Sequence, residues 1–592
     1  MAKTKSLISL LLLLLCLPLF TWAKFQNTNI AFLKKSSMAA MRALTTNEVK
    51  LLKNGYYQGV VFSGYFKDGD TPEPIHYYLS RGNSPDNSGS IIRVKELILE
   101  HMFEGSVNAK YFGCFGNDKV DDTEAMRELF KYSSSKNLIA VFEDGTYIIN
   151  VLKEKMPDWP TSSFRAFDIY SNLHIEGLGK NVVFKVKDNS ATLSAPKFYH
   201  MFASVQKRNN ISFKNITFDG NFTKNRMSPE ASKGKYNKYN QDFIGFWGNN
   251  ANGSNVTISN CIFKNNPGMN NIICQVTRDA SAGSIGTGWK IENCSHLDGG
   301  LDADDFSAIF ALCDNITITG NLFKQSKTPR KANDPGARNA YESHGSNQYF
   351  ENNTIENYFA GVIINSNFFK TCNNIVVRKN TIKNSYINGI RLWRQSWGPK
   401  NAIQTTMKGV KITENNIYVN AVPFANTTSE FKGGIIAGAS FQYGYEDVLI
   451  ANNNIYFDKG IVNPSAGICL TFQPVGQQKG YEFKKLIINN NSVYNALSGV
   501  LIRMPNNSVL LESLEITDNK FYNITNTATN KVAVGINISS SPQSLGIGTL
   551  KISNNKIKGN AEIGVRLEGK IKVVDMKNNN DLKESKIPFY KR

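Results

Sequence analysis

Four residue types that handle protons and carboxylates recur at a related spacing in the middle of this chain. Glu342 and His344 stand two apart, and Arg391 follows 49 positions later. An acidic run, Asp302, Asp304 and Asp305, lies just upstream, with Tyr341, Asn365, Trp393, Arg394 and Trp397 close by in the pattern. Between the acidic run and Glu342 lies a segment carrying Lys331 and Arg338, a natural cleft wall. An imidazole near neutrality moves protons, a guanidinium grips a carboxylate in bidentate fashion, and paired carboxyls serve acid–base chemistry. Tryptophans beside them offer faces for sugar rings.

These groups act together only if the backbone brings them together, and a repeating phrase supplies the means. An apolar residue, two free positions, an asparagine, one free position and another apolar residue recur at Ile318/Asn321/Phe323, Phe350/Asn353/Ile355, Val377/Asn380/Ile382 and Ile412/Asn415/Ile417. The line continues through Asn453, Asn491, Asn519 and Asn555, while Cys261 and Cys294 take the middle place in earlier copies. The asparagines lie about 27 to 38 residues apart, a period that signals a solenoid. A second phrase, glycine then alternating apolar residues, recurs at Gly361-Val362-Ile363-Ile364-Asn365, Gly389-Ile390-Arg391-Leu392-Trp393 and Gly499-Val500-Leu501-Ile502. Alternation rich in Ile and Val is the strand period. Each repeat therefore holds at least two short strands, and stacked repeats put equivalent residues about 4.8 Å apart. The expected fold is all-β: a right-handed parallel β-helix whose buried asparagines hydrogen-bond from turn to turn.

Used as a ruler, the glycine phrase aligns Glu342 with Ile363 and Arg391, and His344 with Asn365 and Trp393. Residues between the buried Val and Ile point outward. Glu342 and Arg391 then share one outer face, roughly 10 Å apart across two turns.

Residues 1–23 read as a cleaved secretory leader: Lys3 and Lys5, the apolar run Leu7 to Leu15, then Thr21-Trp22-Ala23. The expected location is secreted or periplasmic, with no membrane span, since no stretch is long and apolar enough. The formal net charge is +20. A balance this basic favours an acidic polymer as partner. A nucleic acid is not expected, because no recognised binding motif is present. Cysteine spacing fits no metal finger, and the seven past the leader, an odd number, cannot all pair; stacked free thiols are expected at Cys261 and Cys294.

Residues 24–110 have another texture, with a short helix expected over 41–55 and strands over 56–78 and 91–94. The order Gly55-Tyr56-Tyr57, Tyr77-Tyr78-Leu79, Asp86-Asn87-Ser88-Gly89, Phe112-Gly113-Cys114, Asp121-Asp122-Thr123 and Gly145-Thr146-Tyr147 resembles the N-terminal module of pectate-lyase-superfamily β-helix enzymes and phage tailspikes. The resemblance implies a carbohydrate-active β-helix over 111–580, opened by a capping helix at Asp122-Thr123 and followed by a basic tail over 581–592.

Two reactions fit the residues. β-Elimination on a uronate polymer uses Arg391, with Arg394 or Ca2+ at Asp302, Asp304 and Asp305, to neutralise the carboxylate; His344 is the base and Tyr341 or a loop lysine the acid. Glycoside hydrolysis uses Asp304 or Asp305 with Glu342. Substrate contacts are expected from Arg394, Trp393, Trp397, Asn365, Arg338 and Lys331. The order Asp304-Asp305, His344-Gly345, Arg391 resembles polygalacturonase-type β-helix hydrolases, but their separate Asn-Thr-Asp and Arg-Ile-Lys motifs are missing. A non-catalytic polysaccharide-binding protein is the third reading. The partner in each case is an acidic polysaccharide, and a monomer is expected.

Overall fold

The computed structural model describes residues 31–156, 163–190, 198–225, 241–248, 250–276, 285–301, 303, 305–326, 337–365, 371–393, 407–420, 432–438, 445–459, 465–471, 481–504, 509–525, 531–542, 544, 546–576 and 580–592. The expected leader, residues 1–23, lies outside these residues. Among the described residues no helix is long and apolar enough to cross a membrane. Contacts divide the chain into one unit of residues 1–103 with 110–113, and a second of residues 104–109 with 114–592.

The smaller unit is a five-stranded sheet with two short helices, Met38–Arg42 and Thr46–Lys53. The single helix expected over 41–55 is two pieces, because Thr45 starts a new one with a capping box. Its hydroxyl accepts from the Glu48 amide while Glu48 reaches back to the Thr45 amide. Asp86 ties this unit locally, accepting from Arg42 at 2.6 Å and from the Arg93 amide at 2.9 Å.

The larger unit is a right-handed parallel β-helix built from three sheets of 15, 15 and 14 strands. Each turn contributes three strands, one more than the two phrases require. A typical turn runs Cys313–Thr319, Leu322–Lys324 and Ala337–Ser343, and the next repeats it as Gln348–Glu351, Thr354–Glu356 and Ala360–Asn365. Corresponding strands pair parallel and in register, such as Ile318 with Phe350 and Phe323 with Ile355.

The corner before the short strands explains the asparagine phrase. The residue before the ladder position turns in the left-handed region: Asn352 at φ 55°, Asn452 at 58°, Asn554 at 58°. That conformation suits Asn and Gly. The ladder asparagine then turns inward, where its amide must be satisfied. Asn453 donates to Asn491 Oδ1 at 2.9 Å and to the Ile412 carbonyl at 2.9 Å, and accepts from Asn415 Nδ2 at 2.9 Å. The chain of amides runs unbroken from Asn321 to Asn555 and extends to Asn580.

The glycine phrase has a steric cause. A Cβ on Gly499 would stand 2.3 Å from Phe521, an interior side chain of the short-strand sheet. Glycine lets its sheet, the site sheet, which runs from strand Glu154–Lys155 to strand Ile587–Lys591, bend close to that core.

At the first turn, helix Thr123–Lys136 buries Met126, Leu129 and Phe130. Phe130 meets Phe142, Phe167 and Phe202, so the helix covers the open apolar interior. Asp122 is the helix's N-cap residue but makes no side-chain cap bond and accepts instead from the Phe115 amide, while Asp121, just before it, accepts from the Thr123 amide at 3.1 Å. Both aspartates are structural. At the other end, the stretch read as a basic tail is part of the coil: strand Ile587–Lys591 pairs with Ile563–Glu568 and closes the site sheet.

Candidate functional site

The site sheet, which runs through Asp305–Ala311, Ala337–Ser343, Ala360–Asn365 and Asn388–Trp393, carries the candidate residues. Its register puts Phe310, Glu342, Ile363 and Arg391 in one column. The ruler reading of that column therefore holds, strand by strand. The neighbouring column, Ile309, Tyr341, Val362 and Ile390, is fully buried in the coil interior.

Glu342 is the centre of a hydrogen-bonded cluster. Its Oε1 lies 3.0 Å from His344 Nε2 and accepts from Asn365 Nδ2 at 3.4 Å, while Oε2 accepts from Ser307 Oγ at 2.8 Å. The carboxylate side chain is 13 % exposed and the imidazole 1 %. Burial alone would push the Glu342 carboxyl up, but the bonds from His344, Ser307 and Asn365 outweigh it and hold the group below the ordinary glutamate range. Glu342 is thus an ionised carboxylate bonded to an imidazole. The His344 ring packs on Phe310, with centroids 4.6 Å apart.

Arg391 stands two strands along the same column, half-buried, and burial lowers its pKa to about 10. It remains a cation at neutral pH.

Several expectations are corrected. Tyr341 is not an outward acid: it is fully buried, its hydroxyl donates to Gln348 Oε1, and its ring stacks on Phe350 at 4.8 Å. Alternation requires this, because Tyr341 precedes an outward residue. His344 lies on the expected side but is closed over, since alternation sets the face and not the exposure. Asn365, expected to touch substrate, supports Glu342 and is itself buried. Arg338 is buried at 8 % exposure, with Phe306 beside it in register. Asp302, Asp304, Lys331, Arg394 and Trp397 lie outside the described residues. Asp305 and Trp393 are placed as strand residues, their side chains undescribed. Among the described residues no cluster of His, Cys, Asp or Glu suits a metal; two of the three expected calcium ligands, Asp302 and Asp304, are not among them.

The sequence reading missed Ser307 and Phe310, the groups that hold Glu342 and His344. Extending the ruler one turn toward the N-terminus would have put Phe310 in the Glu342 column. The seven cysteines are free and buried, including the expected Cys261 and Cys294.

No family model and no curated protein matches the chain. Solved structures do. A mutant tailspike protein of E. coli bacteriophage HK620 superposes with TM-score 0.54 at 14 % identity, covering 85 % of this chain and 83 % of that one. The tailspike of the same phage in complex with a pentasaccharide gives 0.53 at 12 % identity, over 85 % and 82 %. A double mutant of that tailspike, with one aspartate and one glutamate replaced, again with the pentasaccharide, gives 0.53 at 12 %. This chain shares the right-handed parallel β-helix fold of those tailspikes. At such identity the likeness reaches the β-helix and stops there, so the chemistry must be argued from the side chains.

Proposed function

We propose that the chain cleaves an acidic, uronate-containing polysaccharide by β-elimination on the outer face that carries Glu342, His344 and Arg391. The observation that carries the reading is the Glu342–His344 pair, 3.0 Å from oxygen to nitrogen, with a cation in the same column two strands away. In this reading Arg391 pairs with the uronate carboxylate, which makes the proton at C5 easier to remove. Glu342 holds and orients the imidazole through Nε2. His344 takes the C5 proton, the C4–O bond breaks as the C4–C5 double bond forms, and the imidazolium returns its proton to the leaving oxygen. Glu342 stays ionised throughout, as its lowered pKa favours. The formal net charge of +20 draws a polyanion toward the protein.

Arg391 supplies the direct test. Arg391→Ala is expected to lower kcat/KM on a uronate polymer by about 100-fold or more, consistent with loss of one charge-stabilising group, and Arg391→Lys to restore part of it. Equal activity of wild type and Arg391→Ala would remove the carboxylate clamp from the account.

Hydrolysis is the second reading. An ionised Glu342 would serve as base or nucleophile, with Asp304 or Asp305 as acid. A tailspike of similar fold was solved with a pentasaccharide, which fits either kind of cleavage or binding alone. Pure polysaccharide binding without cleavage is the remaining alternative.

A further inference from the structure

The column that holds Glu342 continues toward the N-terminus through Phe310, Ile273 and Gly245. At Gly245 the column has no side chain of its own, and a neighbouring carboxylate fills the space. A Cβ there would meet Trp247 Nε1 at 2.5 Å and Asp242 Oδ2 at 2.8 Å. Asp242 Oδ2 accepts from Trp247 Nε1 at 2.8 Å and lies 2.9 Å from His200 Nδ1. The arrangement parallels the Glu342 cluster: a carboxylate over the outer column, bonded to a ring nitrogen borne two positions past the column residue. Trp247 follows Gly245 as His344 follows Glu342.

The two clusters share a wall. Trp247, Ala203 and Ile273 form one apolar group with Phe310 packed against it, and Phe310 touches His344. Three strand spacings separate the strand Gln241–Trp247 from Ala337–Ser343, about 14 Å. From Trp247 to Arg391 is five spacings, about 24 Å, enough for several sugar units.

His200 and Asp242 are 0 % and 1 % exposed, as closed as His344. Yet His200 Nε2 and Asp242 Oδ1 have no hydrogen-bond partner among the described residues. A buried polar atom left without a partner costs about 1–3 kcal/mol, and such groups mark function or a missing ligand. Burial pushes the Asp242 carboxyl up against the pull of His200 and Trp247. Two unpartnered polar atoms beside an indole make a site for hydroxyls.

We propose that His200, Asp242 and Trp247 form a second sugar-binding station of the same groove, taking hydroxyls of a unit remote from the bond that is cleaved. This rests on the uronate-polymer reading of the Glu342 face, whose strands it continues.

The test is equilibrium binding of uronate oligomers of two to six units by calorimetry, in a Glu342→Gln background that keeps them intact. His200→Gln and Asp242→Asn are compared with that background, and thermal melting confirms that each variant is folded. The expected result is that affinity rises with length in the background, while either variant loses about tenfold for the longest oligomer and little for the shortest. Variants that weaken every length equally, or none, overturn the second station and leave the Glu342 reading standing. If the background binds no oligomer of any length, both fall.

Discussion

Glu342 shows how three neutral or basic neighbours overcome burial. Ser307, Asn365 and His344 all hydrogen-bond to the charged form, and the folded pKa is lowered. A carboxylate with a depressed pKa is fully charged above its ordinary range and loses its charge as pH falls through the folded value. Activity that needs an ionised Glu342 therefore persists into mild acid and fails below it. Removing the Ser307 hydroxyl takes away one of these bonds, so Ser307→Ala should move the acid limb of the kcat/KM profile to higher pH, and Ser307→Thr should leave it near the wild-type position. A limb that does not move with Ser307→Ala would show that the hydroxyl is packing and not tuning. At this scale the sequence was a partial guide. The spacing of Glu342 and His344 marked them, but Ser307 comes from the turn before and Asn365 from the turn after, and Tyr341, near in the chain, is turned inward by alternation.

At the scale of the element, the asparagine ladder was readable because its frame demands a small amide at one place in every turn. The structure adds that each rung is doubly tied, to the next amide and to a backbone carbonyl of the turn before. Asn453→Ala would take a hydrogen bond from the side-chain amides of Asn415 and Asn491 and from three backbone groups, a loss of about 2–4 kcal/mol. Asn454→Ala, at a half-buried position next door, should cost about 1 kcal/mol or less. Chemical denaturation of both variants checks this; equal losses would mean that the ladder adds nothing beyond surface hydrogen bonds. Asn580 escaped the sequence reading because Lys577 stands where the frame calls for an apolar residue. The strand Ile587–Lys591 escaped because its charge reads as a tail, although its pairing with Ile563–Glu568 shows it sealing the last turn. The third strand of each turn was hidden by its length, only three residues in Leu322–Lys324 or Thr354–Glu356.

At the scale of the whole molecule, register is what converts a linear pattern into a site. Residues 49 apart in the chain, Glu342 and Arg391, become second neighbours in one column because each turn returns the strand to the same place. The same return carries Gly245, Asp242 and Trp247 onto that face. Fold class was legible because hundreds of residues repeat one rule. The site was less so, because a reaction depends on a few side chains that interrupt the rule, and the substrate is not written in the coil at all.

The most direct measurement is continuous ultraviolet absorbance of the purified protein with a panel of uronate polymers. Elimination predicts new absorbance from an unsaturated uronic acid at each newly formed chain end, lost in His344→Ala. Reducing ends that accumulate with no absorbance, or polymers left intact across the panel, would contradict it.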